Sequence, residues 1–131
     1  MNRITAIVTA LESINNISIV NFKAADQSMT MMALELDNRL SVGSCVILGV
    51  KASNISLAKE LNGLLSISNQ LPITIERINH GKLLSSIKFS FAGSLIESII
   101  TKKSALRMDL QVSTRSIALI KSSELSILEI R

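Results

Sequence analysis

Apolar and polar residues alternate along much of this chain with a period of two. Ile17-Ser18-Ile19-Val20-Asn21-Phe22 and Ile87-Lys88-Phe89-Ser90-Phe91 do so as half-buried strands should. Leu125-Ser126-Ile127-Leu128-Glu129-Ile130 has the same character. Thr5 to Ser13 carries Ile7, Val8 and Leu11, which a helix could also use, but the β-branched residues favour a strand. Asn15-Asn16, Ala25-Asp26-Gln27, Asn79-His80-Gly81 and Ala92-Gly93 punctuate these runs as turns. Their spacing, roughly 8–12 residues, predicts several short strands. Leu34 to Leu40 and Lys102 to Met108 contain helix formers at matching places and predict one helical turn each.

The pattern occurs twice. Val46-Ile47-Leu48-Gly49-Val50-Lys51-Ala52-Ser53-Asn54-Ile55-Ser56-Leu57 is echoed by Ser116-Ile117-Ala118-Leu119-Ile120-Lys121-Ser122-Ser123-Glu124-Leu125-Ser126-Ile127, and the two lysines lie 121 − 51 = 70 positions apart. Asn2-Arg3-Ile4 matches Asn69-Gln70-Leu71, and Ile19-Val20-Asn21-Phe22 matches Ser86-Ile87-Lys88-Phe89, both at an offset of 67. A connection three residues longer near Ser104 to Asp109 accounts for the difference. The expected organisation is therefore all-β, with one unit over residues 1–62 and a second over 63–131. Five or so strands and one short helix per unit describe tandem OB-like five-stranded barrels. A unit of roughly 65 residues is marginal alone, so each should lean on the other or on a neighbouring chain.

Composition narrows the function. The net charge of +4 would suit nucleic acid, but three Phe without Trp or Tyr leave almost no platform for base stacking. A small anion suits a modest basic excess equally well. The single cysteine, Cys45, cannot form an intrachain disulfide and sits in an apolar run that predicts a buried thiol. No apolar run of about 20 residues and no signal-like start is present, so a soluble, cytoplasmic protein is expected. Catalysis fits poorly. His80 stands alone in a turn, the five glycines are scattered, and the carboxylates do not pair for acid–base work. Met29 and Met31 should face the core and Met32 the opposite side, with no need of a metal.

What stands out chemically is the Lys-small-Ser corner that follows an apolar strand in both units. Lys51, Ala52 and Ser53 form one, and Lys121, Ser122 and Ser123 the other. Lysine supplies charge and donors, serine a rotatable hydroxyl, and exposed backbone N–H groups can complete a cradle. Such a cradle suits a compact oxyanion without a hydrophobic body.

These motifs resemble those of the Mop domain of the TOBE group, found in molbindins. Ser66-Ile67-Ser68-Asn69-Gln70-Leu71 is similar to the family's opening Ser-Ala-Arg-Asn-Gln-hydrophobic motif. Ile99-Ile100-Thr101-Lys102-Lys103-Ser104 resembles its central hydrophobic-Thr-x-x-Ser segment. Ala118-Leu119-Ile120-Lys121-Ser122-Ser123 resembles its closing Ala-Leu-Ile-Lys-Ala-Ser. The resemblance covers nearly the whole chain as two copies, with no DNA-binding or ATPase domain. It implies Mop/TOBE barrels that bind molybdate or tungstate at interfaces between units, in a homo-oligomer, expected to be a trimer. Carried over residue by residue, it implicates Lys121, Ser122, Ser123, Thr101 and the Ser66-Ile67 backbone, with Lys51, Ala52 and Ser53 in the first unit. No direct protein ligand to the metal is expected, and the composition leads us to expect no nucleic-acid or membrane partner.

The chain also departs from the family pattern. Ser68 replaces an arginine, the first unit lacks the residues before Asn2, and Leu34 stands where Thr101 stands in the second. The leading expectation is cytoplasmic storage or buffering of the oxyanion. The alternative is a ligand-free structural or regulatory module of the same fold, and a third reading, nucleic-acid binding through the barrel, draws only on charge and fold.

Overall fold

The computed structural model describes residues 1–131, which form eleven strands, one α-helix and two 3₁₀ turns. The first half contains β1 (Asn2–Ile14), β2 (Ile17–Ala24), β3 (Gln27–Ala33), β4 (Cys45–Val50) and β5 (Ser56–Ala58). The second contains β6 (Asn69–Thr74), β7 (Arg77–His80), β8 (Leu84–Phe91), β9 (Ser94–Thr101), the helix α1 (Lys102–Arg107), β10 (Arg115–Ile120) and β11 (Ser126–Ile130). No helix is long and apolar enough to cross a membrane.

Element positions follow the sequence offsets. β2 and β8 begin 84 − 17 = 67 residues apart, as do β3 and β9, whereas β4 and β10 begin 115 − 45 = 70 apart, as do β5 and β11. β1 corresponds to β6 and β7 together. Its register shifts between Val8 and Ala10, and Ile75 and Glu76, the equivalents of Val8 and Thr9, interrupt the second copy. Both irregularities are held alike: Gly43 N donates to Val8 O at 2.8 Å, and Ser113 N to Ile75 O at 2.8 Å. Asn15 and Asn16 (φ 52° and 68°) and Ala92 and Gly93 (φ 50° and 78°) turn tight hairpins, as their sequences suggested.

Period two governs burial. Ile4, Ala6 and Val8 of β1 point inward while the residues between them are exposed. Phe22 and Phe89, 67 apart, are fully buried, each contributing about 1.5–3 kcal/mol relative to exposure. Met29 and Met31 are buried and Met32 is exposed, which places the methionines as packing residues.

Strand pairing crosses between the halves. The sheet order β11-β4-β1-β2-β3 adds the last strand of the second half to the first, while β5 pairs with β10 beside β6. A continuous core of 25 buried residues draws on both halves. Leu128 of the exchanged β11 lies over Gly49, where an added Cβ would come within 2.7 Å of its side chain.

The hydrogen-bonded ladders are open; they do not close into barrels. β3 and β11 end the five-stranded sheet, and the second half divides into β5-β10-β6 and β7-β8-β9. The edge of β3 is met by a side chain from the other half: Asn69 Oδ1 accepts from Thr30 N at 2.7 Å. Asn2 Oδ1 does the same for Glu97 N of β9 at 2.9 Å. Each contact satisfies one residue of an otherwise open edge.

Only one of the two expected helices forms. Lys102–Arg107 is helical because Thr101 caps it, its Oγ1 accepting from Ser104 N at 3.2 Å. At the equivalent position Leu34 has no oxygen to offer, and residues 34–40 form bends and turns. Asp37 Oδ1 accepts from Arg39 N at 2.9 Å, a local bond that competes with helix. Hydrogen bonds from the Arg39 side chain also hold the Asp37 carboxyl down at about 2. Cys45, expected buried, is half-buried because it opens β4 at the end of the strand.

Candidate functional site

Each corner is made by a strand that stops at a lysine. Lys51 is extended (φ −69°, ψ 143°), and Ala52–Asn54 form a 3₁₀ turn closed by Asn54 N donating to Lys51 O at 2.9 Å. Lys121 is extended likewise (φ −60°, ψ 141°), and Ser122–Glu124 form the second turn, closed by Glu124 N donating to Lys121 O at 2.9 Å. Buried Ile55 and Leu125 then return the chain to the core. Apolar residues before and after thus fix where each lysine emerges. Lys51 and Lys121 are both exposed, and neither is paired with a carboxylate.

The strand exchange brings the corners together. Asn54 Nδ2 donates to Glu124 Oε2 at 2.8 Å, joining turns 70 residues apart. Buried side chains hold both from behind. Asn69, fully buried, accepts from Thr30 N at 2.7 Å and donates to Thr30 O at 2.9 Å and to Ile120 O at 3.0 Å, beside Lys121. Ser98, also fully buried, donates to Ile55 O at 2.6 Å behind the first corner. Asn2 repeats the Asn69 clamp more simply, exchanging two bonds with Glu97. Sequence reasoning aligned Asn2 with Asn69 but assigned neither a role. The signal was an asparagine opening an apolar strand in both halves, a polar residue that burial must satisfy.

The other candidates stand apart by hydrogen bonding. The Thr101 hydroxyl is engaged with Ser104, accepting from its N–H and donating to its Oγ at 3.0 Å. Ser66 is exposed and Ile67 half-buried before β6, and Ile67 O accepts from Gln70 Nε2 at 2.8 Å. No hydrogen bond links Thr101, Ser66 or Ile67 to either lysine corner. Thr101→Ala should therefore cost about 1 kcal/mol by uncapping α1, read as a lower chemical-denaturation midpoint; an unchanged midpoint would show that the cap contributes nothing. His80, expected in a turn, ends β7, with Nδ1 2.7 Å from the buried Ser85 Oγ. No three His, Cys, Asp or Glu side chains converge as a metal site.

Residues 65–127, which include the second corner, match the family model of the TOBE domain. That segment is similar to a TOBE domain. The TOBE match begins just before β6 and ends within the exchanged β11, so the domain contributes a strand to the sheet of the other half. The whole chain also shares its fold with a solved structure, that of the cytoplasmic molybdate-binding protein ModG with molybdate bound. The TM-score is 0.90 at 23% identity, over 96% of this chain and 94% of that one. No curated protein matches the chain by sequence.

Proposed function

We propose that the chain binds molybdate or tungstate at junctions between its units and stores or buffers the ion in the cytoplasm. It is a binding protein, not an enzyme. The observation that carries this reading is the recurrence of one corner in one geometry, with unpaired lysines at both copies. Lys121, Ser122 and Ser123 supply the principal donors, Lys51, Ala52 and Ser53 their counterparts, and Thr101 and the Ser66-Ile67 backbone complete sites across assembled units. The molybdate-bound relative of the same fold supports the choice of ion.

The donor set fits the chemistry. A tetrahedral dianion is strongly hydrated, and leaving water is costly unless many donors replace it. Ammonium, hydroxyl and backbone N–H groups do so through charge-assisted bonds. A cage sized for molybdate leaves its donors badly placed around the smaller sulfate. A homo-oligomer, with a trimer as the proposed state, would also cover Leu34, Leu64 and Leu83, which stand exposed on the single chain.

Calorimetric titration with molybdate, tungstate and sulfate tests the reading, with native mass giving the number of copies. Lys121→Ala should weaken molybdate binding by roughly 10–100-fold, the worth of one charge-assisted bond. An equal and weak response to molybdate and sulfate would leave the ligand-free module as the better description.

A further inference from the structure

We infer that Glu124 sets the strength with which both corners hold a doubly charged oxyanion, acting as a fixed negative charge at the seam between them; this rests on the oxyanion reading above. The two corners differ at the third residue after the lysine, where one has Asn54 and the other Glu124. Those two side chains meet at 2.8 Å, so the carboxylate of the second corner lies against the first. Asn54 donates a hydrogen bond but cannot cancel the charge, and Glu124 forms no ion pair. An uncompensated carboxylate therefore sits beside two lysine corners whose charge would otherwise act undiminished.

The magnitude follows from distance. Glu124 closes the turn that begins at Lys121, its N–H donating to Lys121 O at 2.9 Å, so its carboxylate belongs to the same corner. For a dianion held about 6 Å from the carboxylate in water, a charge of −1 weakens binding by roughly tenfold before screening, and by roughly three- to fivefold at physiological salt. A monoanion feels half the repulsive energy. The carboxylate loosens the hold on a dianion without removing any donor, which suits a protein that must release what it stores.

Glu124→Gln is the test, since its amide oxygen can still accept from Asn54. Titrated with molybdate, this variant should bind roughly three- to fivefold more tightly than wild type at about 0.15 M salt, with a larger gain at about 0.01 M and almost none at about 1 M. Asn54→Asp, which sets a second carboxylate against the first, should bind more weakly than wild type. A wild type that binds while Glu124→Gln binds no better, or gains by an amount indifferent to salt, overturns this inference and leaves the oxyanion reading standing. A wild type that gives no heat with millimolar molybdate sinks both.

Discussion

Asn69→Ala should lower the stability of the chain by about 3 kcal/mol or more, the largest effect of any single polar substitution considered. The side chain serves Thr30 N, Thr30 O and Ile120 O in a fully buried position. Alanine would leave these groups without that partner, at about 1–3 kcal/mol for each one left unsatisfied. Against a typical total of about 5–15 kcal/mol, that is a large fraction. A thermal melt should show a fall of about 10 °C. Asn2→Ala should cost less, because Asn2 serves only Glu97 N and O and lies nearer the surface, 9% exposed against 0% for Asn69. Equal melting temperatures for the two variants would mean that the third bond, to Ile120, carries no weight.

A fragment of residues 1–62 should not fold alone. Its sheet takes β11 from residues 126–130, its β5 pairs only with β10, and the edge of β3 is met by Asn69. Without β11, one side of β4 presents unpaired backbone, and Leu128 no longer covers Gly49. The 25-residue core would be cut in two, leaving a piece too small to bury enough surface. Circular dichroism should show a largely unordered fragment, and mixing it with residues 63–131 should restore strand signal. A cooperative melt from residues 1–62 alone would show that the exchange is dispensable.

Much of this architecture was legible before any coordinates. Alternation marked β2, β8 and β11, tight-turn residues marked the hairpins, and recurrence at 67 and 70 aligned the elements of the two halves. The lysine corners were readable because a charge and hydroxyls follow an apolar run twice. The contribution of Asn69 was not readable, since its partners Thr30 and Ile120 lie 39 and 51 residues away. The same holds for Asn54 and Glu124, whose positions correspond but whose contact depends on the strand exchange.

The helix expected at Leu34 to Leu40 shows the limit of local propensity. Its residues favour helix about as well as those of Lys102 to Arg107, yet the outcome turned on one capping oxygen, present in Thr101 and absent in Leu34.

Side-chain periodicity specifies which face of a strand is buried, because burial of apolar groups is a property of each residue and its neighbours along the chain. It is silent about which strand supplies the neighbouring backbone, because N–H and C=O groups are the same in every strand. β5 and β11 could each have completed their own half by that criterion. Their exchange, and with it the meeting of the two lysine corners, was settled by how distant segments pack together around one core.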